Sequence, residues 1–284
     1  MPRVLALSSH VAYGSVGLAA IVPALHALGH EVVALPTIVL SNHPGHECYA
    51  GEQIAPATLY EMLDSLAANG WLAAIDAVLT GYLPSEAHVK VAGSAFARVR
   101  EANAAAVLVC DPVLGDAPGG LYLDPAAAAA IAERLLPVSD IITPNAFELA
   151  WLANQRVESP EGAVAAARVL GVRNVLATSV PAGGDRLATL LVGENGTQAC
   201  FVPRRRTAPH GTGDLLAALY LGHALNGLEP GACLARAVAA VEASILQVTG
   251  LQVTGLQCAG QDELSLAGAG AIWAEARALP IRAI

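Results

Sequence analysis

The sequence predicts an α/β protein with a mainly parallel central sheet, helices on both of its faces and an antiparallel edge. Three observations predict it. Short β-rich runs alternate with amphipathic runs of helical length as far as Thr178, the pattern of parallel strands joined by crossovers. Two further apolar runs then flank GENGT at Gly193–Thr197, where Asn195-Gly196 is a strong hairpin signal. Nearly every β-rich run is followed by a hydroxyl, carboxylate or amide residue, and the carboxyl ends of parallel strands are where such sheets bind ligands.

Taken in order, strands are expected at Arg3–Ser8, Glu31–Thr37, Ile75–Thr80, Ala106–Asp111, Asp140–Thr143 and Asn174–Thr178. Helical segments such as Gly14–Leu28, Ser85–Ala102 and Pro125–Leu136 separate them. Leu187–Val192 and Gln198–Val202 form the antiparallel pair, and the chain from Leu215 onward reads as helices. Ser41–Gly51 (SNHPGHECYAG) is polar, carries two His and two Gly and follows a strand, which makes it the candidate for a mobile lid. The tandem LQVTGLQVTGLQC at Leu246–Cys258 is too short for a solenoid and reads as a local duplication.

The 284 residues are long enough for a substantial core. Gly and Pro fall as punctuation rather than in low-complexity tracts, and no linker divides the chain, so residues 1–284 are expected to form a single domain. A formal charge of -9, with Lys90 the sole lysine, excludes a basic nucleic-acid-binding face. Five scattered cysteines without a CxxC pair indicate neither a disulfide framework nor a zinc site and suit a reducing cytoplasm. The N-terminal apolar run is too short for a signal segment, and Val16–Leu28 falls short of the roughly 20 residues a membrane span requires. No membrane partner is expected.

The residues after the strands are Ser8-Ser9-His10, Thr80-Gly81-Tyr82, Asp111, Thr143-Pro144-Asn145 and Thr178-Ser179. The sharpest local signal is His210-Gly211-Thr212-Gly213-Asp214, which runs into an apolar helical stretch. Glycines at a helix start let backbone N–H groups converge on one anion, reinforced by the helix dipole. Asp214 could be a base beside that anion or a carboxylate that only caps the helix.

These strings resemble a known family. GTGD at Gly211–Asp214 is similar to the anion-hole motif of ribokinase-like kinases. SHV at Ser9–Val11, SNH at Ser41–His43, TGY at Thr80–Tyr82, CDPVLGD at Cys110–Asp116 and TPNAFE at Thr143–Glu148 match the pyridoxal kinase branch in family order. The resemblance implies a ribokinase-like fold and ATP-dependent phosphorylation of the 5'-hydroxymethyl group of pyridoxal, and of pyridoxine and pyridoxamine as further candidates. It makes Asp214 the catalytic base and Gly211, Thr212 and Gly213 the anion hole. Asp111, Asp116 and Glu148 would position Mg2+ with ATP, and hard oxygen ligands suit that ion. Asp111, Thr143, Glu148, Thr178 and Ser179 would form the nucleotide side, where related kinases often hold K+. Ser9, Val11, His43, Pro44 and Tyr82 would contact the vitamin, with Tyr49 at a lid position where the family commonly has an aromatic. Pro44 departs from the usual threonine and brings no side-chain donor. Arg204-Arg205-Arg206 is either a phosphate contact or a solvated turn. The family commonly forms homodimers.

Hydroxymethylpyrimidine kinase, of the same fold, is the nearest alternative; its anion-hole string usually ends in cysteine. A non-catalytic B6 binder is a third reading, and it has no use for a retained general base.

Overall fold

The structure is a computed structural model that describes residues 1–205, 208–253 and 263–284, with the side chains of 249–253 outside the description. Ten strands form one continuous sheet. In chain order β1 is Arg3–Val11, β2 Glu31–Leu40, β3 Gly51–Gln53, β4 Ala77–Thr80 and β5 Val107–Cys110. A separate two-stranded hairpin, β6 (Gly115–Asp116) and β7 (Gly120–Leu121), follows, then β8 (Ile141–Ile142), β9 (Asn174–Pro181), β10 (Arg186–Gly193), β11 (Gly196–Pro203) and β12 (Arg282–Ala283). The large sheet runs β12-β11-β10-β9-β8-β5-β4-β1-β2-β3. From β2 to β9 every neighbouring pair is parallel. Outside them β3, β10, β11 and β12 pair antiparallel.

All eight expected strands are present. The antiparallel pairing occurs at both edges rather than one, because the chain after β2 turns back as β3. The short elements β3, β6, β7 and β12 have two or three residues each and carry no periodicity to read.

Helices cover both faces: α1 (Leu18–Ala27), α2 (Pro56–Ala68), α3 (Glu86–Ala102), α4 (Pro125–Ala130), α5 (Ala146–Ala153), α6 (Pro160–Val169), α7 (Thr212–Leu225), α8 (Pro230–Val253) and α9 (Ala269–Glu275). Helix α4 widens into a π turn over Ile131–Leu135, so the expected helical run Pro125–Leu136 is filled. The pleat of β1 divides the core. Leu5 and Leu7 point into the layer of α2–α6, with Leu63, Phe96 and Leu149. Val4 and Ala6 point into the layer of α1, α7 and α8, with Ile21, Leu219 and Leu234. This alternation is the period-two geometry of a strand buried on both faces.

Two expectations need correction at the sheet's upper end. Strand β1 continues three residues past Ser8, and the first helix begins at Leu18, not Gly14. Gly14 (φ 104) and Gly17 (φ 56) adopt left-handed backbone, which cannot belong to a right-handed helix. The repeat at Leu246–Cys258 enters the end of α8 up to Val253, and its remaining residues, like Arg206, lie outside the described residues. Helix α8 is long and apolar enough to cross a membrane by length and composition. Its inner face, with Cys233, Leu234, Ala237 and Ala240, is instead buried in the second core layer.

Candidate active site

The site lies where β1, β4 and β5 end and α1 and α7 begin. Gly211 caps α7 in a left-handed conformation (φ 87), and a Cβ there would sit 1.8 Å from the Ser15 carbonyl oxygen, so only glycine fits. The first N–H groups of an α-helix have no intrahelical acceptor. At Gly213 nothing lies within 4 Å of an added Cβ, so space is open in front of this turn.

Asp214, in the first turn of α7, accepts a hydrogen bond at Oδ2 from the Gly17 N–H, 2.9 Å away. The residue is half-buried, and burial pushes its pKa up to about 6 against the pull of the Gly17 bond. Gly17 is fixed from its other side by Ser9. A Cβ on Gly17 would come within 2.2 Å of the Ser9 carbonyl oxygen and 2.3 Å of Ser9 Oγ. Gly81 approaches from β4; a Cβ there would meet Ser8 Oγ at 2.4 Å and lie 3.6 Å from Asp214 Oδ1. Ser8 Oγ in turn accepts from the Tyr82 N–H at 3.2 Å. Ser9, the Tyr82 backbone and Asp214 are thus brought together around three glycines, Gly17, Gly81 and Gly211.

The acidic set gathers beside this group. Asp111 follows β5, is 8% exposed, and is pushed well above the usual carboxylate range by burial and then by the charges of Glu148 and Asp214. Glu148 is pushed up to about 7, chiefly by burial, although three backbone N–H groups oppose the rise. Its Oε1 accepts from Leu114 (2.7 Å) and Gly115 (3.4 Å), and its Oε2 from Asn145 (2.8 Å). The Asn145 side chain accepts from the Glu148 N–H at 3.0 Å, completing a capping box at the start of α5. Glu148 is thus a helix-capping carboxylate as well as a member of the acidic set. Asp116 is exposed in β6 and its charge also acts on Glu148. The Tyr122 hydroxyl bonds Asp116, and burial and that carboxylate raise its pKa. The Thr143 hydroxyl is buried and makes no hydrogen bond of good geometry, though its interaction with Asp111 offsets part of the rise there.

Thr178 lies opposite Asn145 in an isolated parallel bridge, and its N–H donates to the Pro144 carbonyl. Ser179 follows with φ 55, an uncommon conformation outside glycine that is concentrated at functional positions. Of the basic trio, Arg205 is committed to Glu242 of α8 at 2.7 Å, and Arg204 is exposed. The sequence leaves the trio open between a phosphate contact and a solvated turn; the Arg205 guanidinium has an anionic partner within the fold.

Of the residues expected to contact the vitamin, Val11 is 3% exposed at the end of β1. The loop between β2 and β3 is closed at its base, with Ser41 N–H bonded to the Ala50 carbonyl at 2.7 Å and Ala50 N–H to Ser41 Oγ at 3.0 Å. From it the His43 ring stacks on His210, centroids 3.8 Å apart and 24° from parallel. Burial and the neighbouring His210 lower the His43 pKa. Burial, and then the Tyr49 phenol, raise that of Tyr82. Pro44 is exposed.

Sequence reading did not single out Gly17 and Gly81 individually, nor His210 as a stacking partner, nor Tyr122 and Glu263. The left-handed Gly17 in GSVGLAA was the only one with a usable signal, a glycine at a helix boundary.

The arrangement was compared with known proteins. The profile of the phosphomethylpyrimidine kinase family matches residues 13–257. A pyridoxal kinase PdxY of Deinococcus radiodurans is 39% identical over 239 residues, 80% of each chain. A pyridoxal kinase PdxY of Leifsonia xyli subsp. xyli is 38% identical over 247 residues, 84% of this chain and 87% of that protein. The structure of a pyridoxal kinase from Leishmania donovani, in complex with ADP and pyridoxamine, superposes with a TM-score of 0.92 at 27% identity over all of both chains.

Proposed function

This chain belongs to the phosphomethylpyrimidine kinase family and, within it, to the pyridoxal kinases, and from that premise we propose how its own residues phosphorylate pyridoxal with ATP. The observation that carries the reading is the Asp214 carboxyl, held by Gly17 between the vitamin-side strand ends and the acidic set. Asp214 accepts the proton of the 5'-hydroxymethyl group as that oxygen attacks the γ-phosphorus. The bond from phosphorus to the bridging oxygen breaks, and ADP leaves with the electron pair. The N–H groups of Gly211–Gly213 stand where charge develops on the transferred phosphoryl group, the largest contribution expected in such a reaction. Ser9 holds the pyridine nitrogen, Tyr82 and Val11 the ring, and the 41–50 loop with His43 and Pro44 closes over it as a lid. Thr178 and Ser179 line the phosphate side.

Two cations fit the residues present. Asp111 and Glu148 are both raised by burial and each bears the charge of another carboxylate, a set that a cation would relieve. Among the described residues no three His, Cys, Asp or Glu side chains form a complete metal site. Mg2+ keeps several waters and uses one or two carboxylates together with substrate phosphates. Mg2+ held by Asp111 and Asp116 would neutralise nucleotide charge; Glu148, whose oxygens already accept three N–H groups, contributes mainly its charge. The buried Thr143 hydroxyl beside Asp111, with Glu148 and Thr178 nearby, offers oxygen donors for K+. We further assign a single kinase domain over residues 1–284, a cytoplasmic location and a homodimer, from composition and family resemblance.

ADP release measured with pyridoxal, pyridoxine, pyridoxamine and hydroxymethylpyrimidine tests the reading. Turnover is expected with the B6 vitamers, abolished by excess chelator. Turnover with hydroxymethylpyrimidine alone would overturn it, and full turnover in chelator would remove the magnesium assignment.

A further inference from the structure

Glu263 takes no part in the chemistry above, yet it touches three segments of the site. It is 7% exposed. Its Oε2 accepts from the Ser15 N–H at 3.3 Å and lies close over Gly14, where a Cβ would approach it to 2.6 Å. Its Oε1 lies 3.2 Å from His46 Nε2 on the 41–50 loop. Its backbone bridges that of His210, directly before the anion hole. The next residue, Leu264, accepts from Ser15 Oγ at 2.9 Å.

A buried carboxylate needs partners to offset the loss of water, and removing one partner is far more costly than the pair is stabilising. Here the two oxygens face two segments whose relative placement matters. One is the Gly14–Gly17 turn, whose last N–H holds Asp214. The other is the loop that carries His43 to its stack on His210. No catalytic group lies between Glu263 and these contacts.

We propose that Glu263 is a positioning residue that ties the lid to the turn holding the catalytic base, so that the lid settles over the vitamin ring in register with Asp214. This rests on the pyridoxal kinase reading and deepens it by assigning the vitamin-side closure to a residue far along the chain. The link passes through His46 to the lid and through Ser15 to the turn. Losing it loosens the vitamin pocket while leaving the nucleotide side, on Asp111, Glu148 and Thr178, untouched.

The test compares Glu263→Ala, Glu263→Gln, His46→Ala and the Glu263→Ala/His46→Ala double variant in the ADP-release assay. Glu263→Ala should raise the KM for pyridoxal by about tenfold, the scale of a lost hydrogen bond to a charged group, with the KM for ATP within about twofold of wild type. Glutamine can accept from Ser15 and donate to neutral His46, so Glu263→Gln should recover most of the loss. His46→Ala should raise the pyridoxal KM similarly, and the double variant should be no worse than either single one, as expected of one shared interaction. An unchanged pyridoxal KM, a parallel rise in both KM values or additive losses would overturn the proposal. If Glu263→Ala does not fold, His46→Ala, which leaves the Ser15 contact intact, decides by the same split. A wild-type enzyme that ignores pyridoxal refutes the pyridoxal kinase reading; an active wild type with unaltered variants refutes only the tie.

Discussion

A base that takes a proton from an alcohol must be ionised at working pH and still basic enough to accept it. Asp214, the base we propose, suits both demands, because burial lifts it to about 6 against the pull of the Gly17 bond. Its folded-state value is raised, so the base is lost by protonation as pH falls through about 6, and kcat/KM, which reports the free enzyme, should show an acid limb there. Asp214→Asn keeps an oxygen for the Gly17 N–H and removes the proton acceptor. It should lower kcat by ~10²–10⁴ with the thermal midpoint retained. A variant that keeps more than about a tenth of kcat would remove Asp214 from that role. The placement of Gly211 and Asp214 at a helix start is legible because its signal is local, four consecutive residues. Gly17 was not, since its role depends on a partner 197 positions away. Glu263, 248 positions from Ser15, had no local signal at all.

At the scale of elements, long strands and their order could be read from alternation, while the lengths of β8 and the β6–β7 hairpin could not. Two-residue strands are defined by what lies beside them. Helix α2 went unassigned because only Leu59 and Leu63 form its buried stripe. Helix α5 illustrates how one element serves two purposes. Its capping box fixes Glu148 beside Asp111, and the Asn145 amide also donates to the Gly115 carbonyl at 2.8 Å, tying the hairpin that carries Asp116. Asn145→Ala should therefore cost about 1 kcal/mol of stability in chemical denaturation, as lost N-caps do, and raise the magnesium concentration needed for half-maximal rate. Loss of stability with an unchanged magnesium titration would confine α5 to a structural part.

For the whole molecule, burying three carboxylates, with Asp111 repelled by the other two, should leave a mark on stability against pH. Asp111, Glu148 and Asp214 all have folded-state values above those of the unfolded chain. Between their unfolded and folded values the native state holds protons that the unfolded chain has released, so stability falls as pH rises. The lowered values of His43 and His223 act in the opposite sense below about 6.5. The thermal midpoint of the ligand-free protein should thus climb as pH is lowered from about 8 to about 6.5, and magnesium with nucleotide should flatten that slope. A midpoint independent of pH in this window would mean that burial does not raise these carboxylates above their unfolded values. The stitch between Ser15 and the segment at Glu263–Leu264 also has a temporal side. Its partners are separated by up to 249 positions, and contacts of such separation close late because of the chain entropy they must overcome. On the ribosome the sheet from β1 to β11 is synthesised before the lid's anchor exists, so a nascent chain can be largely folded and still be unable to grip its vitamin.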